Sequence, residues 1–237
     1  MSSMGIPQHI SKQFDNELEN IRSRVLAMGG LVEQQLGDAL KALTESSIET
    51  GEDVLETEYK VNGMEVSIDE ECTRILAKRQ PAAGDLRLIT AVIKTITDLE
   101  RIGDEAERIA KMAIDLAEKQ GPKSYYIGIN SMGSYVSGMV NGALDAFARM
   151  DSKAALEIAS KEPGSDDQYA AILRQLITYM MEDPRSITSV IDAVWTVRAL
   201  ERIGDHARNI CEYVIYFVEG KDVRHISIEQ MEKEVQG

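Results

Sequence analysis

Sulfur, aromatic rings and positive charge are all scarce in this chain. Two cysteines, Cys72 and Cys211, in 237 residues exclude a disulfide framework and give no metal-ligand spacing, so both are expected as reduced, buried helix residues. With three Phe, one Trp and 5% aromatics overall, the core falls to Leu, Ile, Val, Met and Ala, which suits helices better than a sheet sandwich. Five prolines point the same way. Lys and Arg number 26 against 40 Asp and Glu, a formal charge of −14. With no basic excess to displace counterions, nucleic acid and anionic lipid are excluded as general partners, and free phosphate is repelled too. Metal cations, basic partner surfaces and anions held through a metal remain. No apolar run approaches the roughly 20 residues that span a bilayer; the best, Cys211 to Val218, is short and contains Glu212. Met1 to Gln13 shows no export pattern. The expectation is a cytoplasmic protein without membrane insertion.

What is present is repetition. Leu99-Glu-Arg-Ile-Gly-Asp-Glu-Ala-Glu-Arg returns as Leu200-Glu-Arg-Ile-Gly-Asp-His-Ala-Arg-Asn. Met28-Gly29 and Ala39-Leu40-Lys-Ala42-Leu43 return as Met132-Gly133 and Ala143-Leu144-Asp-Ala146-Phe147, so one unit of roughly 100 residues is written twice. Gly121-Pro122, followed by the polar stretch Ser124 to Ser131, is the clearest break and predicts two domains, 1–121 and 122–237. Each half reads as three long helices. The first half is expected to break near Gly51 and at Gln80 to Gly84, the second near Asp151-Ser152 and at Asp183-Pro184-Arg185. Asp85 and Ser186 are N-cap candidates for the third helices. In the first of these, Ile89, Val92, Ile96, Leu99, Gly103, Ala106, Ala110 and Ala113 step by three and four, which is bundle patterning. Val190, Val194, Val197, Gly204 and Ala207 echo it.

Both copies of the repeated phrase carry Glu-x-x-x-Asp, Glu100 with Asp104 and Glu201 with Asp205, which places two carboxylates one turn apart on one helix face. Chance alone gives roughly seven such acidic pairs in a chain of this composition, so the recurrence at equivalent places is what carries the signal. In the first half the middle helix adds Glu65 and Asp69, with Asn62 and Glu58 one and two turns earlier. In the second, Glu162 and Asp166 are read as equivalent to Glu65 and Asp69, with Pro163-Gly164 between them expected to distort the site or leave it to be closed by Asp167. All-oxygen donors suit Mg²⁺, Ca²⁺, Mn²⁺ or iron better than Zn²⁺. Ordinary ion pairs with Arg101 or Arg108 are the alternative. His206 points about 100° away from Asp205 and is expected at a partner or dimer surface; His9 and His225 are expected in solvent. Di-iron Glu-x-x-His pairs, phosphate-binding glycine loops and Ser/His/Asp spacings are absent from the sequence.

These stretches, together with Ile68-Asp-Glu-Glu-Cys through Arg79-Gln80-Pro81, Asp85-Leu-Arg-Leu and Thr178-Tyr-Met-Met-Glu-Asp, resemble the PhoU family of bacterial phosphate-transport regulators over nearly the whole chain. The resemblance implies an all-α fold of two pseudo-symmetric three-helix bundles, six long helices in all, usually a homodimer and not an enzyme. It places the family's metal-binding motifs on Glu100, Asp104, Glu201 and Asp205, with Glu65, Asp69 and Asp166 as additions from the facing helices, and Mg, Mn or Fe as candidate cations. It implies negative regulation of phosphate uptake and of the phosphate-starvation response, with the ATPase subunit of the phosphate ABC transporter and a phosphate-responsive sensor histidine kinase as partners. A metal-dependent enzyme and a purely structural scaffold are the alternatives.

Overall fold

A computed structural model describes residues 12–119 and 126–236. Among them the regular structure is helical: α1 (Lys12–Glu45), α2 (Ile48–Arg79), α3 (Ala83–Lys119), α4 (Tyr126–Arg149), α5 (Ser152–Ala159), α6 (Glu162–Glu182), α7 (Ile187–Glu219) and α8 (Ile228–Gln236). The Gly121-Pro122 break, the domain boundary placed there and His9 lie outside the described residues.

The helices form where apolar residues recur at helical spacing. In α1, Leu18, Ile21, Val25, Met28, Val32, Leu36 and Ala39 are buried, one continuous stripe over about 32 Å of helix. In α3 the whole series from Ile89 to Ala113 is buried, as its spacing predicts. Phe147 is the only aromatic among the largest fully buried side chains, so aliphatic packing carries the core. Both cysteines are free and buried, and burial pushes the Cys72 thiol up to about 12.

Two of the expected boundaries move. The chain turns at Ser46, whose φ is 58°, and Ser47 caps α2 by accepting the Thr50 amide at 3.2 Å. Gly51 is helical, and its role is close approach: a Cβ there would lie 2.7 Å from Ile114 Cγ1 of α3. Asp85 is not a cap, because α3 already begins at Ala83; it is an acid in the first turn, where the helix dipole favours it. Ser186 precedes α7 without a side-chain capping bond. Its hydroxyl instead donates to the Asp183 carbonyl at 2.7 Å, since the 3-10 turn Pro184–Ser186 runs directly into the helix.

The two halves share one plan, α1, α2, α3 against α4, α5 with α6, α7. The six long helices expected are α1, α2, α3, α4, α6 and α7; in the second half a short α5 is cut off ahead of α6, and α8 follows α7 to pack Met231 and Val235 inward. At the cut, Tyr135 of α4 donates its hydroxyl to the Lys161 carbonyl at 2.7 Å, and the same carbonyl also accepts the Gly164 amide at 3.0 Å. Pro163 then stands in the first turn of α6, where proline is tolerated. Gly164 leaves room for the tyrosine, since a Cβ would lie 2.6 Å from its hydroxyl. Pro163-Gly164 therefore opens a helix and does not interrupt one.

The halves meet about a pseudo-two-fold axis. Gly29 of α1 packs against Leu144 of α4, and Gly133 of α4 packs reciprocally against Leu40 of α1. The third helices, α3 and α7, pack on each other as extensively as α3 packs on α1. They run antiparallel: Asp98 reaches His206, Asn209 and Tyr213, while Glu105, further along α3, reaches back to Arg202.

Candidate metal sites in the two halves

Each half carries an acid-lined groove between its middle and third helices, and one glycine sets the floor of each. A Cβ on Gly103 would lie 2.7 Å from Glu58 Oε2, 3.2 Å from Gln35 Oε1 and 3.3 Å from Val61. A Cβ on Gly204 would lie 3.0 Å from Ser165 Oγ and 3.9 Å from Met139. These neighbours align the repeats: Gln35 with Met139, Val61 with Ser165, and so Glu58 with Glu162 and Asn62 with Asp166. The pairing of Glu65 and Asp69 with Glu162 and Asp166 read from the sequence is thus shifted by two turns. Their common Glu-x-x-x-Asp pattern concealed the true register, which the packing against glycine reveals.

In the first half Glu58 and Gln35 are buried, and Gln35 Nε2 donates to Glu58 Oε2 at 2.6 Å. Gln35 Oε1, Glu58 Oε1 and Asn62 Oδ1 are buried with no hydrogen-bond partner among the described residues. Burial pushes the Glu58 carboxyl up against the Gln35 bond, and Asp104, Glu107 and Glu100 add to the rise. Burial likewise raises Glu100, helped by Asp104 and Glu65, and raises Glu65, helped by Asp69. Glu100 is half-buried and Asp104 exposed, flanking the apolar seam as the sequence implied. Gln35 is the residue that sequence reasoning passed over; its signal was a polar side chain on an otherwise apolar stripe, and its partner Glu58 is the acid the sequence placed two turns before Glu65.

The second groove is the tighter. One carboxylate oxygen from each of Glu162, Asp166 and Asp205 lies within 4.8 Å of the others. Met139 offers no amide where Gln35 does, and the compensation comes from α7. Arg208 Nη1 donates to Glu162 Oε2 at 2.7 Å, and its Nε to Glu212 at 3.1 Å. Burial nevertheless outweighs that contact and holds the Glu162 carboxyl above its ordinary value. Burial also raises Asp205, with Asp166 adding to it, and Glu201, with Asp205 adding to it. Glu201 gives one oxygen to Arg198 at 2.6 Å, while its Oε2 and the Ser165 hydroxyl are buried without a partner among the described residues.

This donor set fits a hard divalent cation or iron. It is all oxygen, it converges, it leaves acceptor atoms unsatisfied, and burial makes Glu58, Glu100, Glu162, Glu201 and Asp205 hold protons more tightly than free carboxyls do. In the second half Glu162, Asp166, Glu201 and Asp205 would hold the ion; in the first, Glu58, Asn62, Glu100 and Asp104, with Glu65 and Asp69 a turn or two along α2. A bound cation would supply positive charge, cancelling carboxylate repulsion and offering an anchor for an anion.

His206 is not at a surface. It is buried, with Nδ1 2.6 Å from Asp98 Oδ1 across the α3–α7 contact. It occupies the place equivalent to Glu105, so each half's third helix sends the residue after its Asp across to the other half. His225 is exposed, as expected.

An internally duplicated, all-helical bundle with an acid-lined groove in each half is the class of protein these features define. The PhoU domain matches residues 25–113 and again 129–214, and the chain belongs to the PhoU family. It is 53% identical to the phosphate-specific transport system accessory protein PhoU homolog of Pseudomonas putida, over 98% of this chain and 91% of that one. To the phosphate-specific transport system accessory protein PhoU of Escherichia coli K12 it is 46% identical, over 100% and 98%. The crystal structure of PhoU from Pseudomonas aeruginosa superposes with a TM-score of 0.86 at 53% identity, covering 88% of this chain and 100% of that one. The phosphate transport system regulatory protein PhoU from Streptococcus pneumoniae superposes at 0.82 and 31% identity, over 89% and 99%.

Proposed function

We propose that this chain restrains phosphate uptake and signals phosphate sufficiency as a non-catalytic adaptor, joining the ATPase subunit of the phosphate ABC transporter to a sensor histidine kinase in the cytoplasm. The observation that carries this reading is the end-to-end correspondence with phosphate-transport accessory proteins. The two grooves give the adaptor its chemistry. Each presents an excess of carboxylates, able to meet basic surfaces on a partner or to take a divalent or iron cation that carries phosphate with it. No helix among the described residues is long and apolar enough to cross a membrane, and the reading brings the chain to the transporter through its ATPase subunit.

Affinity capture from phosphate-replete and phosphate-starved cells tests the reading. The transporter ATPase and the kinase should co-purify when phosphate is abundant, and capture of neither would end the adaptor proposal. Replacing Glu100, Asp104, Glu201 and Asp205 together by Ala should remove bound metal, read by elemental analysis, while the helical circular dichroism stays. These acids flank the core and do not fill it, so loss of the fold is not expected. Unchanged metal content would displace the ligand assignment. Turnover of a phosphate ester by the intact protein would favour the metal-dependent enzyme instead.

A further inference from the structure

The second acid groove does not end at its acids. Along α6, Ile177 lies about three full turns beyond Asp166, on the same side of the helix. Met181 follows one turn later. Along α7, Ile191 precedes Asp205 by close to four turns, again on the same side, with Ile187 and Trp195 one turn to either side of it. Because α6 and α7 run antiparallel from the turn at Asp183 to Ser186, the α6 stripe with Ile187 and Ile191 continues the line of the acids toward the hairpin end, and Trp195 borders it on the side of α7 turned toward α3. Between acids and stripes, Arg198 sits over the Tyr169 ring at 5.9 Å. All five apolar side chains are exposed, Met181 by 79% and Trp195 by 53%.

The fold itself does not demand this stripe. At the equivalent places the first half has Leu86, Thr90 and Lys94, and Lys94 lies over the Tyr213 and Tyr216 rings at 5.4 and 5.8 Å. Exposed apolar area of several hundred Å² beside an acidic cluster is what soluble proteins keep for a partner. The charge selects which. Glu162, Asp166, Glu201 and Asp205 outnumber Arg198 and Arg208, and a second copy would bring a chain of net charge −14 against the same acids. We propose that the α6–α7 face docks an amphipathic helix of another protein, its large apolar residues on Ile177, Met181, Ile187, Ile191 and Trp195 and its Lys or Arg end over the acid groove. This helix-in-groove mode rests on the adaptor reading and names the chemistry that the partner presents.

Trp195 is the one tryptophan of the chain, so its emission reports the face directly. The probe is a tryptophan-free peptide of about 18 residues, some 27 Å of helix, with leucines on one face and arginines at one end. Added to the intact protein, it should shift the emission to the blue and saturate. A peptide with glutamates in place of the arginines should produce no shift. Met181→Asp with Ile191→Asp, both on exposed positions, should weaken docking by tenfold or more. No shift with the arginine peptide, equal shifts with both peptides, or emission that is already blue and moves with protein concentration would overturn the proposal, the last because a second copy then covers the face. The same double variant in the capture experiment separates the two readings. If it retains the ATPase or the kinase as well as the unaltered protein does, this face is not the one they use and the adaptor stands. If the unaltered protein captures neither while the peptide docks as described, the adaptor falls and the face remains.

Discussion

Asp98→Ala should lower the free energy of unfolding by about 3 kcal/mol, the range for removing one partner of a buried, hydrogen-bonded charge. Asp98 is 2% exposed and accepts from His206 Nδ1 at 2.6 Å, the Tyr213 hydroxyl at 2.8 Å and Asn209 Nδ2 at 3.1 Å. All three donors belong to α7, so truncation strands them together on the face that joins the halves. For a chain of this size the loss corresponds to a fall in Tm of about 9 °C. Asp98→Asn keeps an acceptor and should lose less than half as much. Leu99→Ala, one residue along and in the apolar core, makes the informative comparison: it removes packing without stranding donors. If Asp98→Ala melts within about 1 °C of the unaltered protein, the cluster contributes nothing to the joint between halves.

The Asp98 cluster has a counterpart in Glu105, also 2% exposed, which takes Arg202 of α7 at 2.8 Å and Arg108 of its own helix at 2.7 Å. The pseudo-symmetry is kept in position and broken in chemistry. At the residue after the groove aspartate, one half sends an acid across to an arginine and the other a histidine across to an acid. Arg202 follows the candidate ligand Glu201, and Asp98 lies two residues before Glu100. The joint between the halves is therefore built from the immediate neighbours of the candidate metal ligands.

The duplication and the helical stripes were legible because period and repetition are properties of the sequence itself. Gly29 and Gly133 even fell on matching places before their reciprocal packing on Leu144 and Leu40 was known. Register between helices is another matter. Glu65-x-x-x-Asp69 matches Glu162-x-x-x-Asp166 in letters, whereas Gly103 and Gly204 pack against Glu58 and Ser165; pattern cannot choose between alignments that differ by two turns of one helix. Gly51 and Pro163 misled for a related reason, since both residues end helices in some places and open them or admit neighbours in others. His206, expected at a partner or dimer surface because it points away from Asp205, instead meets Asp98 of the same chain, since the side of α7 it occupies is covered by α3. An inter-bundle contact of that extent leaves no periodic signature beyond the stripe that each bundle already needs.

Stripped of metal, the protein should lose stability as the pH rises above the ordinary carboxyl range. Glu58, Glu100, Glu162, Glu201 and Asp205 all have carboxyls pushed up, first by burial and then, except where Gln35 or Arg208 opposes it, by neighbouring acids. Each therefore keeps its proton to higher pH in the folded chain than in the unfolded one. Between the ordinary carboxyl value and the raised one the folded state binds more protons, and raising the pH through that window favours unfolding. Opposite in sign are Glu17, held down by Arg79, and Asp222, held down to about 2 by Arg224. Their stabilisation is complete above the ordinary carboxyl range and is lost only as the pH falls through it, so they set the acid limb of the curve. In EDTA, Tm should thus fall as the pH is raised from the ordinary carboxyl range. Saturating Mn²⁺ at pH 8 should reverse the loss, because a cation binds the ionised acids of the folded chain; at a hundred times its Kd it adds about 2.7 kcal/mol, close to 8 °C at this size. Replacing Glu100, Glu162 and Glu201 by Gln and Asp205 by Asn should flatten that fall with pH and abolish the Mn²⁺ response together, since both arise from the same carboxylates. A Tm that is level above the ordinary carboxyl range in the unaltered chain, or a Mn²⁺ response that survives the fourfold substitution, would show that the grooves are ordinary solvated faces.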